Sequence, residues 1–281
     1  MTNPVDQDLR VPAGREGGRD GGRDPQAERR LWLRRYHPSP DPAARLVCLP
    51  HSGGAAPYFR ALSEALSPAV EAVAVQYPGR QDRRTEPLVG DLGELATRLA
   101  EVLDDLLTDE PGPFALFGHS MGALLAFEVA RRLEQDGREV AGLFVSGMRA
   151  PSAQRNEWLH LAEDAELLRE VRGLGGTEAR LLEDEEIVRA ALPVIRSDTR
   201  AVETYHYRAA SGAGADLRCP VIALTGTEDP RVTPVEAGTW RDHTSGGFEL
   251  HAFPGDHFYL NAFTAALGRL MRARLTGGPD E

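Results

Sequence analysis

Three residues that lie far apart in the chain have the types and settings needed for acyl transfer by a serine: Ser120, Asp229 and His257. A serine hydroxyl is a weak nucleophile at neutral pH, so it needs a base to take its proton and an acid to orient that base. Ser120 lies in Gly118-His119-Ser120-Met121-Gly122, a pattern typical of a sharp turn that exposes a nucleophile. We therefore predict that Ser120 is the nucleophile, His257 the base and Asp229 the acid.

The choice of base must be made among eight histidines. His257 directly follows the end of a late predicted strand, which is where a base that follows its serine in the sequence is expected. His119 lies in the serine turn itself and His51 in a glycine-rich loop, so both are interpreted as candidates for substrate binding or structure. Four others on predicted helices or strands are interpreted as surface or hydrogen-bonded residues: His160, His206, His243 and His251.

The choice of acid has two alternatives, Glu228 and Asp256. Pro230 restricts the backbone directly after Asp229. The position of Asp229 in the loop after a predicted strand favours it over Glu228 as the acid. Asp256 is adjacent to the base in sequence and is poorly placed to accept a hydrogen bond from its far ring nitrogen.

Negative charge that develops on the attacked carbonyl oxygen requires backbone N–H donors. One should be Met121, which follows the nucleophile at the start of a predicted helix. The second should come from the loop after the strand at 45–49, where Ser52 is the first choice and Gly53 the second. His51, Gly53 and His119 are the candidate substrate-binding residues. The alternative interpretation of 51–54 is a flexible turn.

Apolar patterning predicts the elements that must position these residues. The run 114–117 predicts a buried strand before the serine, and the residues after it predict a helix that ends near Gly137. Further strands are predicted at 31–36, 45–49, 71–77, 140–146, 220–225 and 248–253, with helices at 58–66, 91–108, 234–242 and 259–275. This alternation predicts an α/β fold with a mostly parallel, doubly wound sheet and with ligands at the carboxyl ends of its strands.

One segment interrupts the alternation. Residues 151–213 contain no predicted strand and three predicted helices, at 158–171, 178–182 and 185–207, so we expect a helical insertion that covers the sheet. Residues 1–29 are rich in Gly, Arg and Asp and are predicted to be a disordered tail, and 277–281 a flexible C-terminus. The folded domain is therefore expected to span 30–276.

Composition excludes several other classes of protein. The chain has 281 residues, of which 41% are apolar and 27% charged, as expected of a globular protein with one large domain or two small ones. It has neither an apolar stretch that could span a membrane nor a signal peptide, so we expect a cytoplasmic protein without membrane contact. The net charge of −11 opposes nucleic-acid binding. Both cysteines, Cys48 and Cys219, lie in or beside predicted strands as buried thiols, and no metal-binding motif occurs.

Five motifs together resemble the type II thioesterases. They are Cys-Leu-Pro-His-Ser-Gly-Gly at 48–54, Val-Gln-Tyr-Pro-Gly-Arg at 75–80, Leu-Phe-Gly-His-Ser-Met-Gly-Ala at 116–123, Phe-Val-Ser-Gly at 144–147, running into Ala-Pro at 150–151, and Pro-Gly-Asp-His-Phe at 254–258. The resemblance extends from about residue 30 to 275. Gln-Tyr-Pro-Gly-Arg is its most specific part, because general esterases do not usually carry it.

The resemblance implies an α/β-hydrolase fold with a helical lid and a Ser-Asp-His triad at Ser120, Asp229 and His257. Enzymes of this family stand alone beside polyketide and nonribosomal peptide synthases. They hydrolyse aberrant or stalled acyl groups from the phosphopantetheine arm of an acyl or peptidyl carrier protein. That arm belongs to the substrate, so no cofactor and no metal is implied, and we expect a monomer. The family often has Ala at the position of Ser52, a change that a backbone donor would tolerate.

Three other functions remain open from the sequence. A product-releasing thioesterase or a general carboxylesterase would use the same three residues on other esters. A non-catalytic protein that docks onto a synthase would keep the fold without the chemistry. Activity toward carrier-bound thioesters, compared with simple esters, distinguishes these functions.

Overall fold

The central sheet has seven strands in the computed structural model, which describes residues 24–155, 157–175, 184–209 and 215–278. The strands are β1 (Leu33–Arg35), β2 (Ala44–Leu49), β3 (Val70–Val75), β4 (Phe114–His119), β5 (Gly142–Ser146), β6 (Val221–Gly226) and β7 (Phe248–Phe253). Their order is β1-β3-β2-β4-β5-β6-β7, and β1 alone pairs antiparallel. The predicted α/β fold with a mostly parallel sheet is confirmed.

Eight α-helices are found in the described residues. They are α1 (Pro25–Trp32), α2 (Arg60–Leu66), α3 (Leu92–Asp109), α4 (Met121–Gln135), α5 (Asp164–Arg172), α6 (Glu185–Glu203), α7 (Pro234–Ala237) and α8 (Thr264–Thr276). The apolar faces of α3 and α4 cover one side of the sheet, and α2 and α8 cover the other. Because both sides are covered, the inner strands are almost continuously apolar, and every residue of β3, β4, β5 and β6 is buried.

The segment before β1 differs from the prediction. Residues 25–29, which the sequence assigned to a disordered tail, belong to α1, and the predicted strand at 31–36 shortens to Leu33–Arg35. The Asp24 side chain caps α1 by accepting from the N–H of Gln26, Pro25 occupies the first turn, and Trp32 is buried. These local interactions stabilise a helix even though the composition of the segment is polar. The predicted disorder of 1–23 lies outside the described residues.

The insertion between β5 and β6, which we call the lid (residues 151–213), contains helices, 3-10 turns and loops but no strand in its described part. Its predicted first helix begins later, at Asp164, after a short 3-10 turn at Leu159–Leu161, and α6 ends at Glu203. The predicted helix at 178–182 lies outside the described residues. Leu159, Leu167, Leu168 and Ile195 form a small apolar cluster of the lid's own.

Two other predicted helices begin or end in 3-10 turns. The helix predicted at 234–242 is α7 followed by a 3-10 turn at Gly238–His243, and the last predicted helix is a 3-10 turn at Tyr259–Asn261 followed by α8. Both cysteines are buried and unbridged, as predicted. Within the described residues, no helix has both the length and the apolar character that crossing a bilayer requires.

Candidate active site

Ser120 lies at the sharp turn between β4 and α4. Its backbone has φ 54° and ψ −123°, a conformation that a residue with a side chain rarely adopts. Its N–H donates to the carbonyl oxygen of Ser146 at 2.8 Å, which ties the turn to β5. A Cβ at Gly118 would lie 2.0 Å from the carbonyl oxygen of Gly122, and one at Gly122 would lie 2.1 Å from that of Leu49. Both glycines are therefore required sterically.

His257 and Asp229 meet after the ends of β7 and β6. Nδ1 of His257 lies 2.8 Å from Oδ2 of Asp229, and both side chains are buried. An ionised carboxylate can only accept, so Nδ1 carries the hydrogen and Nε2 is the ring nitrogen left to act as a base. The second carboxylate oxygen of Asp229 accepts from the N–H of Arg231 at 2.8 Å, which fixes its orientation.

The two alternative acids lie elsewhere. Asp256 accepts from the N–H of Phe258 at 2.8 Å, and Glu228 is exposed. Among the described carboxylates, Asp229 is the one that hydrogen-bonds His257. The geometry therefore fits the predicted choice of Asp229.

Two further histidines pack beside His257. The rings of His119 and His257 have their centroids 4.9 Å apart, and those of His51 and His119 are 5.8 Å apart. Burial lowers the pKa of His119 well below its usual value. Burial, with smaller contributions from His257 and Arg80, lowers the pKa of His51 to about 3. Both rings are therefore neutral near pH 7.

His119 is held by a chain of hydroxyl groups. Its Nδ1 lies 3.0 Å from Oγ of Ser146, which in turn lies 2.7 Å from the hydroxyl oxygen of Tyr259. Burial raises the pKa of Tyr259, so this hydroxyl stays protonated. His119 thus has a structural contact, whereas His51 lines the cavity that contains Ser120.

Gly147 follows β5 and makes room for the two imidazole rings. Its φ is +60°, and a Cβ there would lie 2.8 Å from Cε1 of His119 and 3.2 Å from Cε1 of His257. The sequence showed this glycine only as part of a motif. Its position directly after a strand, at the same sheet edge as the serine turn, was the signal that could have identified it.

The loop after β2 contains two predicted oxyanion donors, the backbone N–H groups of Ser52 and Gly53, and one of them is free to bind a substrate. The N–H of Gly53, the second choice, donates to Oδ2 of Asp198 at 2.7 Å and is therefore unavailable to a substrate. Ser52, the first choice, and Met121 line the same cavity as Ser120. Within the described part of the chain, the N–H groups of Ser52 and Met121 have no protein acceptor.

A cavity of about 420 Å³ lies between the strand ends and the lid. Ser120 and His257 line it, as do apolar residues of the lid, among them Leu159, Leu167, Val171, Ile187, Ala191 and Ile195. Charged residues also line it, among them Arg155, Glu157 and Arg231. Such a cavity can hold an apolar chain with its carbonyl group at the serine.

Arg80 and Asp198 form a buried ion pair that the sequence did not predict. Arg80 ends the Gln-Tyr-Pro-Gly-Arg motif, but no role followed from the motif alone. Asp198 lies in α6 and is fully buried, and nothing in its local sequence distinguishes it from the other acidic residues of the lid.

Another serine, histidine and aspartate of the chain are joined by two hydrogen bonds. Oγ of Ser152 lies 2.8 Å from Nε2 of His243, whose Nδ1 lies 2.7 Å from Oδ2 of Asp216. The ring of His243 packs against Phe127 and Tyr207. None of the three hydrogen-bonded residues lines the cavity, so we interpret this group as a structural contact at the start of the lid.

The chain is similar to a known family and to several known proteins. The family described as Thioesterase domain matches residues 44–274. Thioesterase PikA5 of Streptomyces venezuelae is 50% identical over 232 residues, which cover 82% of this chain and 80% of that protein. The solved structure of the type II thioesterase BorB from the borrelidin biosynthetic cluster has 47% identity and a TM-score of 0.78, covering 87% of this chain and 98% of that one.

A further relative is much longer than this chain. Phenyloxazoline synthase MbtB of Mycobacterium tuberculosis is 38% identical over 243 residues, which cover 86% of this chain but 17% of that protein. A domain similar to this one is therefore one part of a far longer synthase.

Proposed function

Because this chain belongs to the thioesterase family and is a hydrolase of thioesters, we propose that it acts as a type II thioesterase. Its substrates are aberrant or stalled acyl groups on the phosphopantetheine arm of carrier proteins in a polyketide or nonribosomal peptide synthase. The observation that carries the proposal is that Ser120 and His257, whose ring is hydrogen-bonded to Asp229, line one largely apolar cavity.

In the first half of the proposed reaction, Ser120 attacks the thioester carbonyl carbon while Nε2 of His257 takes the hydroxyl proton. Asp229 keeps the imidazole in the right tautomer and stabilises the imidazolium. The N–H groups of Ser52 and Met121 donate to the oxyanion. The carbon–sulfur bond then breaks, and His257 returns the proton to the departing thiolate, which leaves an acyl-serine.

In the second half, water takes the place of the thiol. His257 removes a proton from the water as it attacks the acyl-serine, and then gives that proton to Oγ of Ser120. The products are a free carboxylic acid and the restored serine. The three side chains and water supply every proton and bond in this sequence, so we propose that no metal or organic cofactor takes part.

A carrier protein is the proposed partner. Support comes from MbtB, in which a similar domain belongs to a synthase, and from the cavity itself, which is lined by Arg155 and Arg231 as well as by apolar residues. The side chain of Arg155 is 62% exposed and can meet an approaching partner. Two buried free thiols fit the reducing cytoplasm as the proposed location.

Replacement of the nucleophile tests the catalytic assignment. We expect Ser120→Ala to lower kcat for acyl-loaded carrier protein on the order of 10³-fold or more, because the covalent route is lost. Ser152→Ala is the matched control, since it removes the serine that is hydrogen-bonded to His243 and should leave kcat unchanged. A fluorophosphonate should label the wild type and Ser152→Ala but not Ser120→Ala. Near-wild-type hydrolysis by Ser120→Ala would contradict the proposal.

The choice of substrate tests the remaining alternatives. We expect kcat/KM to be higher for acyl-loaded carrier proteins than for acyl-pantetheine thioesters or p-nitrophenyl esters of the same acyl chain. Equal values for oxygen esters would favour a general carboxylesterase. A strong preference for one full-length product over short acyl groups would favour product release. Absence of both hydrolysis and fluorophosphonate labelling would favour a docking protein.

A further inference from the structure

One residue of the lid reaches the loop that carries a proposed oxyanion donor. Asp198 lies in α6, is fully buried, and accepts from the N–H of Gly53 at 2.7 Å. This hydrogen bond joins the lid to the residue that follows Ser52. The orientation of the Ser52–Gly53 peptide therefore depends on where α6 lies.

Arg80 holds Asp198 in place. Its guanidinium, which is also buried, pairs with both carboxylate oxygens of Asp198 and donates to the carbonyl oxygen of Pro78 at 2.6 Å. It also lies over the ring of Tyr77, 5.2 Å from the ring centroid. Nη2 is the nitrogen that contacts both carboxylate oxygens, and Nη1 is the one that donates to Pro78, so the guanidinium is fixed at two points and in turn holds the carboxylate of Asp198.

Tyr77 anchors the other end of the same loop. Its hydroxyl donates to the carbonyl oxygen of Pro50 at 3.1 Å. The loop residues His51 and Ser52 are thus held on one side through Tyr77 and on the other through Asp198.

Packing reinforces the contact between α6 and the loop. Gly53 has φ +77°, and a Cβ there would lie 2.9 Å from Cγ1 of Ile195. Ile195 and Asp198 are three residues apart and so lie on the same face of α6. This face touches the loop through both an apolar side chain and a hydrogen bond.

We propose that Asp198, held by Arg80, is a positioning residue that orients the oxyanion loop, so that α6 of the lid completes the oxyanion hole. Because Asp198 occupies the N–H of Gly53, the N–H of Ser52 is the one presented to the substrate. A lid displaced from the loop would lose this hydrogen bond and leave Arg80 buried without its partner. Acyl transfer is therefore efficient only when α6 contacts the loop that carries Ser52 and Gly53. This inference rests on the proposed function.

Two double variants separate the hydrogen bond from the ion pair. Arg80→Met with Asp198→Asn removes both charges but keeps an amide oxygen that can accept from Gly53. Arg80→Met with Asp198→Leu removes the charges and the acceptor while keeping a side chain of similar size. Because neither variant leaves an unpaired buried charge, both are expected to fold, as thermal unfolding would check.

The expected result is a difference in kcat between the two double variants. Displacing one oxyanion donor should lower kcat of Arg80→Met/Asp198→Leu by about 10- to 100-fold relative to Arg80→Met/Asp198→Asn, with KM nearly unchanged. Affinity for a trifluoromethyl ketone analogue of an acyl-pantetheine, which forms a tetrahedral oxyanion on the serine, should fall by the same factor. Affinity for the amide-linked analogue, which forms no oxyanion, should not change.

The result that would overturn this inference is equal kcat and equal ketone affinity in the two double variants. A merely structural role for Asp198 would lower the unfolding temperature of the leucine variant without the selective loss of ketone affinity. The proposed function fails by a different observation, which is absence of thioester hydrolysis by the wild type.

Discussion

Gly147 has no side chain, and this absence makes room for two imidazole rings at the candidate active site. The rings of His119 and His257 both approach this position, and the space they use is the space a Cβ would fill. The orientation of His257 is fixed on its other edge by Asp229. A methyl group at 147 cannot be accommodated without moving one ring, so either the histidine pair or the contact with Asp229 must change.

The variant Gly147→Ala tests this constraint. We expect kcat to fall about 10- to 100-fold, because a misplacement of a catalytic group by even 1 Å can cost that much. Gly137→Ala is the matched control, since Gly137 also has a positive φ, +85°, but a Cβ added there would meet nothing within 4 Å. Both variants should lose about 1 to 2 kcal/mol of stability from backbone strain. An equal kcat for the two variants would contradict the steric role of Gly147.

A chain of hydrogen bonds from serine to histidine to aspartate does not by itself identify a nucleophile, as the group of Ser152, His243 and Asp216 shows. Ser152 is hydrogen-bonded to His243, and His243 to Asp216, which is the sequence of contacts found in a catalytic triad. Ser120 differs in its strained φ of 54° at the start of α4 and in its place in the cavity. Backbone geometry and access to substrate therefore separate the two serines.

At the scale of elements, a very close approach joins α4 to the end of β2. Gly122, in the first turn of α4, lies so near the carbonyl group of Leu49 that a Cβ would be 2.1 Å from its oxygen and 2.7 Å from the oxygen of Pro50. This contact sets how far α4 stands from the sheet. It also sets the start of the loop that carries Ser52.

Gly122→Ala should therefore be strongly destabilising. Backbone atoms must move by about 1 Å to admit the methyl group, and we expect a loss of more than about 3 kcal/mol of unfolding free energy, measured by urea denaturation. Gly238→Ala is the control, because Gly238 has ordinary helical φ and a Cβ there would meet only a flexible arginine side chain, at 3.7 Å. That variant should be neutral or gain up to about 1 kcal/mol. A small effect at 122 would show that α4 can shift away from β2.

At the scale of the whole molecule, buried neutral histidines make stability depend on pH. The pKa of His51 is lowered from 6.5 to about 3 in the folded chain, mainly by burial. The unfolded chain therefore binds the proton more readily, so stability rises with pH between about 3 and 6.5 and is lost as the pH falls through that window. His119 contributes in the same direction because its pKa is also lowered.

This linkage predicts a measurable loss of stability on acidification. From His51 alone, the unfolding free energy should fall by about 2 kcal/mol between pH 7 and pH 5. His51→Gln should remove that part of the pH dependence, whatever its stability at pH 7. The exposed His206 provides the control, because His206→Gln should retain the wild-type pH dependence. An unchanged slope in His51→Gln would show that the folded chain does not lower the pKa of His51.

Much of the architecture was predictable because the relevant information is local. The alternation of strands and helices follows from the periodicity of apolar residues along the chain, which indicates the buried face of each element. The short apolar run before Ser120 is likewise a local pattern. The strand predicted at 248–253 has the bounds of β7. Chain order after the strands also indicated Asp229 and His257, which the fold brings to 2.8 Å. The prediction was wrong where helix capping determines the local structure, as at α1, which Asp24 caps.

Most strands of the parallel sheet, the serine turn and the three residues proposed for catalysis were thus predictable from the amino-acid sequence. Which backbone N–H of the loop is free emerges only in the folded chain, because it depends on Asp198 of the lid and on Arg80 after β3, residues separated from Gly53 by 145 and 27 positions. The reason why position 147 must be glycine likewise emerges only there. Contacts of this kind have no periodic signature, since they depend on distances between segments that become neighbours only when the chain has folded.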